Sequence, residues 1–241
     1  MGDGTVINVN KENKNGLVIG FVGLIGSGKD TAADFLVNSH GFRRDSFANT
    51  LKDAVAAVFG WDRILLEGRT KEAREWREQE DVWWAQRLNM PGLTPRKVLQ
   101  LWGTEVCRAG FHDDIWIASV ENKIRKTTDN IVISDVRFPN EIEAIRRAGG
   151  FVVRVKRGDD PIWFEDAASV NRGPDGNLNW ATSLSRMEKL AIHASETAWV
   201  GGNIDLIVTN DGTIDDLYAQ LENLLSNREL AESVKVALDL I

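Results

Sequence analysis

The first strong signal along the chain is an apolar run, Leu17 to Val22 (LVIGFV), with no polar residue to mark a wetted face. A strand buried on both faces carries such a run, which predicts a parallel strand inside a sheet. The pattern then changes period. Residues from about Asp30 to Asn38 predict a helix stopped by Gly41, and Ala48–Phe59 a second, with Leu51, Val55, Val58 and Phe59 on one stripe. Glu67–Gln86 is dense in charge around Trp76, Trp83 and Trp84 and reads as one helix lying over a cleft. Thr94–Pro95 starts another, a hydroxyl cap with proline in the first turn, carrying Val98, Leu99, Leu101, Trp102 and Val106. A further helix covers about Ile115–Lys126.

Ile131–Ser134 is the second buried strand and runs out at Asp135; Glu141–Ala148 is a helix closed by Gly149–Gly150; Phe151–Val155 is the third strand. Residues 158–182 show neither period and predict no element. Ser183–Ala194 reads as helix and Asp205–Thr209 as strand, followed by the turn Asn210–Asp211–Gly212. Thr213 and Asp216 resemble a capping box for a helix to Leu225, and the last 15 residues add a short helix. The alternation of strand and helix predicts an α/β fold, a parallel sheet covered on both faces.

Composition narrows the classes. Apolar residues make up 43% and charged residues 27%, a globular balance that can bury a core without staples. Cys107 is the single cysteine, which excludes an internal disulfide or a four-cysteine zinc site and suits a reducing compartment. A net charge of −7 opposes a broad nucleic-acid surface while leaving room for small anions held by a few arginines. The longest mostly apolar stretch, Leu17–Ile25, is too short to cross a membrane. The polar residues 1–15 read as a loose tail and not as a signal peptide.

The sharpest chemistry is Gly23 to Thr31, GLIGSGKDT, which fits G-x-x-x-x-G-K between a predicted strand and a predicted helix. Glycines let the backbone curl so that several N–H groups converge on one anion, and the helix adds the positive end of its dipole. Gly26, Ser27 and Gly28 fall in that curl, and Lys29 can reach β- and γ-phosphates. The bland alternative, a tight turn with a surface lysine, is disfavoured by the strand context. Asp30 stands where the general motif has Ser or Thr to hold magnesium, and Thr31 comes one place late. Asp30 either meets the metal, directly or through water, or caps the helix.

Asp135, at the end of an apolar strand, falls at the carboxyl edge of the sheet beside that loop, where it organises a metal or an acceptor, or simply caps. Arg137 offers a planar fork for phosphate, or a surface ion pair with Glu141. Lys52 lies in a first helical turn, where a cation is disfavoured unless an anion is near. Gln100, Gly103 and Thr104 read a base or sugar, or pack; Trp116 stacks on a base, or fills the core. Arg154 and Arg157 flank the end of the third strand, Arg157 leading into a stretch suited to a mobile lid. His193 with Glu196 is too few ligands for a metal, and a surface helix face is the better reading.

Taken together, GLIGSGKDTAADFL, LKDAVAAVFGW, VLQLWGTEVCR with DIWI beyond it, IVISDVRFPNEIEAIRRAGG and DLIVTNDGTIDDL resemble the deoxynucleoside monophosphate kinases of tailed bacteriophages, in order from about Leu17 to Leu225. That family shares the Gly-Lys-Asp-Thr variant. The resemblance implies a three-layer P-loop kinase fold using ATP and magnesium on deoxynucleoside monophosphates. It implies one kinase domain over residues 16–241, with an acceptor-side insertion at about 61–93 and a lid-like segment at about 158–200. By position, Gly26, Ser27, Gly28, Lys29, Asp30 and Thr31 would bind ATP phosphates, Asp30 and Thr31 with the metal. Gly103, Thr104, Trp116, Arg137 and Glu141 would line the monophosphate site, with Asp135 beside them and Lys52 and Gln100 as further contacts. Ile25 replaces a basic residue found in the family, so Arg157 or Arg172 is expected to supply charge. A cytoplasmic location, the host's if phage-encoded, is implied; the nine tryptophans leave room for a homodimer interface. The rivals are a kinase of another phosphorylated acceptor, such as phosphomevalonate, and a nucleotide-binding regulatory ATPase.

Overall fold

The computed structural model describes residues 16–238, with side chains through Asn227; the expected tail, residues 1–15, lies outside them. Its strands are β1 (Val18–Val22), β2 (Arg43–Asp45), β3 (Ile131–Ile133), β4 (Phe151–Lys156) and β5 (Leu206–Thr209), in one sheet of order β2-β3-β1-β4-β5. The helices are α1 (Lys29–His40), α2 (Asn49–Phe59), α3 (Arg63–Glu67), α4 (Lys71–Glu78), α5 (Val82–Arg87), α6 (Pro95–Leu101), α7 (Ile115–Ile124), α8 (Pro139–Arg147), α9 (Phe164–Arg172), α10 (Trp180–Leu190), α11 (Ala194–Thr197) and α12 (Ile214–Leu238). A π-helix, Trp102–Ala109, continues α6.

Residues through Arg44 together with Lys123 onward form one compact unit, and Asp45–Asn122 a second. In the first, β1 is wholly buried and pairs in parallel with β3 and β4, placing Ile19 opposite Val132 on one side and Phe151 on the other; β4 pairs in parallel with β5. Ile19 and Phe21 point to one face, into a core with Ala32, Ala33 and Leu36 of α1 and Leu217 and Leu221 of α12. On the opposite face Gly20 lies against Ile145 of α8; a methyl group there would strike the Ile145 side chain. Helices thus cover both faces, as the alternation predicts. Full burial of Ile19 and Phe21 is worth about 1.5–3 kcal/mol each.

The second unit contains residues 61–93 together with α2 and α6, which share one core. That core joins Leu51, Val55, Phe59, Trp61, Leu66, Leu93, Val98 and Trp116, with Trp76, Trp84 and Trp102 packed against it. The stretch expected as one helix over Glu67–Gln86 is broken instead. Thr70 Oγ1 accepts from the Ala73 N–H at 3.1 Å and Asp81 Oδ1 from the Trp84 N–H at 3.1 Å, so each residue starts a new helix. Two of its tryptophan rings serve the core, while Trp83 stays 62% exposed.

Two other expectations change, and one strand was not foreseen. Residues 158–182 contain α9, whose buried face is Phe164, Ala167, Ala168 and Ser169, residues too small to mark a stripe. The helix after Thr213 does not stop at Leu225 but runs on to Leu238. The three-residue strand β2 (RRD) carries no hydrophobic pattern and was invisible to periodicity.

Candidate active site

The chain leaves β1 at the middle of the sheet, with β3 on one side and β4 on the other, the switch point at which α/β sheets bind ligands. Gly23 (φ 148°) begins the turn, and a side chain there would strike the Val155 carbonyl. Gly26 (φ 77°) and Gly28 (φ 104°) hold left-handed conformations that other residues resist. The Asn210 side chain, just past β5, donates to the Ser27 carbonyl at 2.9 Å and fills the space a Cβ on Gly28 would need. Ser27 is buried, and its hydroxyl has no partner among the described residues. Lys29 Nζ donates to the Gly23 and Leu24 carbonyls, both at 2.8 Å. Burial, with Arg137 second, lowers the Lys29 pKa, and Asp30 and Glu196 offset part of that.

Asp30 does not close on its own helix. Its carboxylate is largely exposed, accepts from Ser134 Oγ at 3.0 Å and pairs with Arg44 at 3.4 Å. A cleft of about 250 Å³ opens here, lined by Gly23, Ile25, Gly26, Lys29, Asp30, Ser134, Asp135, Val136, Arg137, Ser195, Glu196 and Trp199. Lys29, Asp30, Asp135 and Arg137 therefore meet in one cavity, although Lys29 and Arg137 lie more than a hundred residues apart in sequence. Thr31, among the described residues, is not part of that lining.

Arg137 is held from two directions. Its backbone N–H donates to Glu141 Oε2 at 2.8 Å, and the Phe138 N–H to the same oxygen at 3.1 Å, so the Glu141 carboxylate, only 4% exposed, caps α8. Glu141 reaches the cleft through Arg137's backbone, and the surface ion pair considered between their side chains is replaced by this cap. The guanidinium instead meets Ser195 Oγ at 3.2 Å and Glu196 Oε1 at 3.4 Å. His193 begins α11, its Nδ1 2.8 Å from Ser195 Oγ.

A smaller cleft of about 170 Å³ on the other side of the loop is lined by Leu24 to Ser27, Arg154 to Arg157 and Asp160. Arg157 is exposed there. Arg154 is buried, ion-paired with Asp160, its guanidinium 4.3 Å from the Phe164 ring centroid and 5.3 Å from that of Trp199. Arg172 lines a separate polar hollow between α9 and α10, with Asp166, Asn177 and Arg186.

The remaining expected residues belong to the second unit. Lys52 pairs with Glu67 at 2.8 Å, the anion its place in a first turn calls for. Burial pushes the Glu67 carboxyl up, but hydrogen bonds from Lys52 and Arg63 outweigh it and hold the pKa below its ordinary value. Gly103 is buried, and its carbonyl accepts from Trp116 Nε1 at 2.9 Å; Trp116 itself is 8% exposed. Gln100 and Thr104 are exposed.

Sequence reasoning missed Ser134, Arg44, Asn210 and Ser195 and set Glu196 aside. The position of Ser134 and Asn210 at strand ends was the available signal; α11 offered none.

A glycine loop at the switch point of a parallel sheet, with a lysine and an arginine facing one cleft, defines a P-loop kinase. The family model for deoxynucleotide monophosphate kinase matches residues 78–173. A protein of Acanthamoeba polyphaga mimivirus, named for deoxynucleotide monophosphate kinase, is 29% identical over 225 residues, covering 88% of this chain and 97% of its own. The deoxynucleoside-5'-monophosphate kinase of Escherichia phage T5 is 30% identical over 179 residues, covering 54% of this chain and 72% of its own. The chain belongs to the deoxynucleoside monophosphate kinase family, which disfavours the phosphomevalonate and regulatory ATPase rivals. Among solved structures it is similar to shikimate kinase from Bacteroides thetaiotaomicron, with a TM-score of 0.39 and 13% identity over 87% of this chain and 98% of that one.

Proposed function

We propose that the protein transfers the γ-phosphoryl group of ATP to the 5'-phosphate of a deoxynucleoside monophosphate, giving the diphosphate. The observation that carries this reading is the single cleft that holds Lys29 beside the glycine loop and Arg137 across from it. An acceptor phosphate is already anionic, so the reaction needs no strong base; it needs alignment and positive charge around the group in flight. The amides of Gly26 to Lys29 cradle the triphosphate. Lys29 exchanges its two carbonyl contacts for phosphate oxygens, and Arg137 grips the acceptor phosphate.

The donor set suits magnesium, which keeps several waters and takes one or two carboxylates alongside phosphates. Asp30 and Asp135 offer hard oxygens at the cleft, with Ser134 already bonded to Asp30. Asp30 would hold the ion, with Thr31 one residue further along α1, and the ion when bound neutralises phosphate charge. Arg157 is assigned to the nucleotide side of the loop. Gln100 and Thr104, exposed on the second unit, are proposed for recognition of the acceptor nucleoside, whereas Lys52 is paired with Glu67 and Gly103 and Trp116 are buried and bonded to each other.

The test is a screen of all ribo- and deoxynucleoside monophosphates with ATP and magnesium. Stoichiometric ADP formation dependent on a deoxynucleotide is expected. ATP consumption indifferent to every monophosphate would remove the assignment.

A further inference from the structure

Glu196 is unexpected in a cleft built for anions. It is a partly buried carboxylate, 25% exposed, facing the guanidinium meant for an acceptor phosphate. A phosphate entering the cleft therefore meets a resident negative charge that already compensates Arg137. α11 is started by His193, whose Nδ1 accepts from the Ser195 N–H at 3.2 Å, and that cap does not involve Glu196.

We infer that Glu196 is a positioning residue that stands in for the acceptor phosphate: its carboxylate holds the Arg137 side chain in the substrate-free cleft, and each acceptor binds by displacing it. The inference rests on the phosphoryl-transfer reading of the cleft. Holding the Arg137 guanidinium at the cleft keeps its fork ready, and a returning carboxylate hastens departure of the product. The cost is affinity. Because the Arg137 side chain is half exposed, the exchange is modest, of the size of a solvent-screened ion pair.

The test compares the intact protein with Glu196→Gln, Glu196→Ala and Glu196→Asp. KM and kcat are measured for dTMP and dGMP at saturating ATP, and binding of inorganic pyrophosphate is measured by calorimetry. Loss of charge should lower the acceptor KM and the pyrophosphate Kd by about two- to fivefold, alike in Gln and Ala, without raising kcat. Asp should restore the native values. A packing role predicts the opposite grouping, Gln with the native protein and Ala alone altered, and that result overturns the inference. So does a KM that rises or holds in both neutral variants. Should the native protein turn over no deoxynucleotide, the kinase reading fails by itself, and the pyrophosphate titration still decides the role of Glu196.

Discussion

Lys29 shows most clearly how much a single side chain carries. With its ammonium on two loop carbonyls, it is aimed before any nucleotide arrives. Lys29→Ala should leave the thermal melt nearly unchanged and lower kcat by about 10²–10³-fold, as loss of one charge-stabilising donor does elsewhere; a circular-dichroism melt beside a coupled assay checks both. Its lowered pKa also has a sign. Between the folded value and the ordinary 10.5, the unfolded chain binds the proton and the folded chain does not, so this group makes stability rise with pH in that window. Phosphate binding restores the proton, so the KM for ATP should climb as pH passes the folded value, below 10.5, and Lys29→Arg should flatten that climb. A KM for ATP independent of pH up to 10.5 would contradict it. The loop was legible in the sequence because its parts are contiguous. The contacts of Arg137 with Ser195 and Glu196 span 58 and 59 residues, and no local pattern encodes such a meeting.

At the scale of elements, the sequence shows what packing makes periodic and hides what capping and small residues do. β1 and β3 were plain because both faces are buried; α9 was hidden because alanine and serine face the core. The break between α4 and α5 turns on the single carboxylate of Asp81, which also accepts from Trp61 Nε1 at 2.8 Å. Asp81→Ala should therefore lose a cap and strand an indole N–H, costing about 1–3 kcal/mol in urea unfolding. Gly150 makes a sharper case. A Cβ there would sit 2.5 Å from the Val18 carbonyl, and backbone cannot swing aside as a side chain can. Gly150→Ala should cost about 1–3 kcal/mol, read as a lower denaturation midpoint at unchanged m-value.

For the whole molecule, the net charge of −7 sits around a cleft whose own lining includes two cations and three carboxylates. Ligand binding should show as global stabilisation: at 100 times Kd one ligand adds about 2.7 kcal/mol, so ATP alone should raise Tm by about 5–10 °C. Scanning fluorimetry with and without nucleotides measures it, and no shift at saturation would deny that the cleft closes on them. No described helix is long and apolar enough to cross a membrane. The Asn210 bond to Ser27 joins residues 183 positions apart. On the ribosome, the glycine turn therefore emerges long before the amide that locks it. A nascent chain halted short of β5 would carry Lys29, Asp135, Arg137 and Glu196, yet capture nucleotide poorly until translation is nearly done.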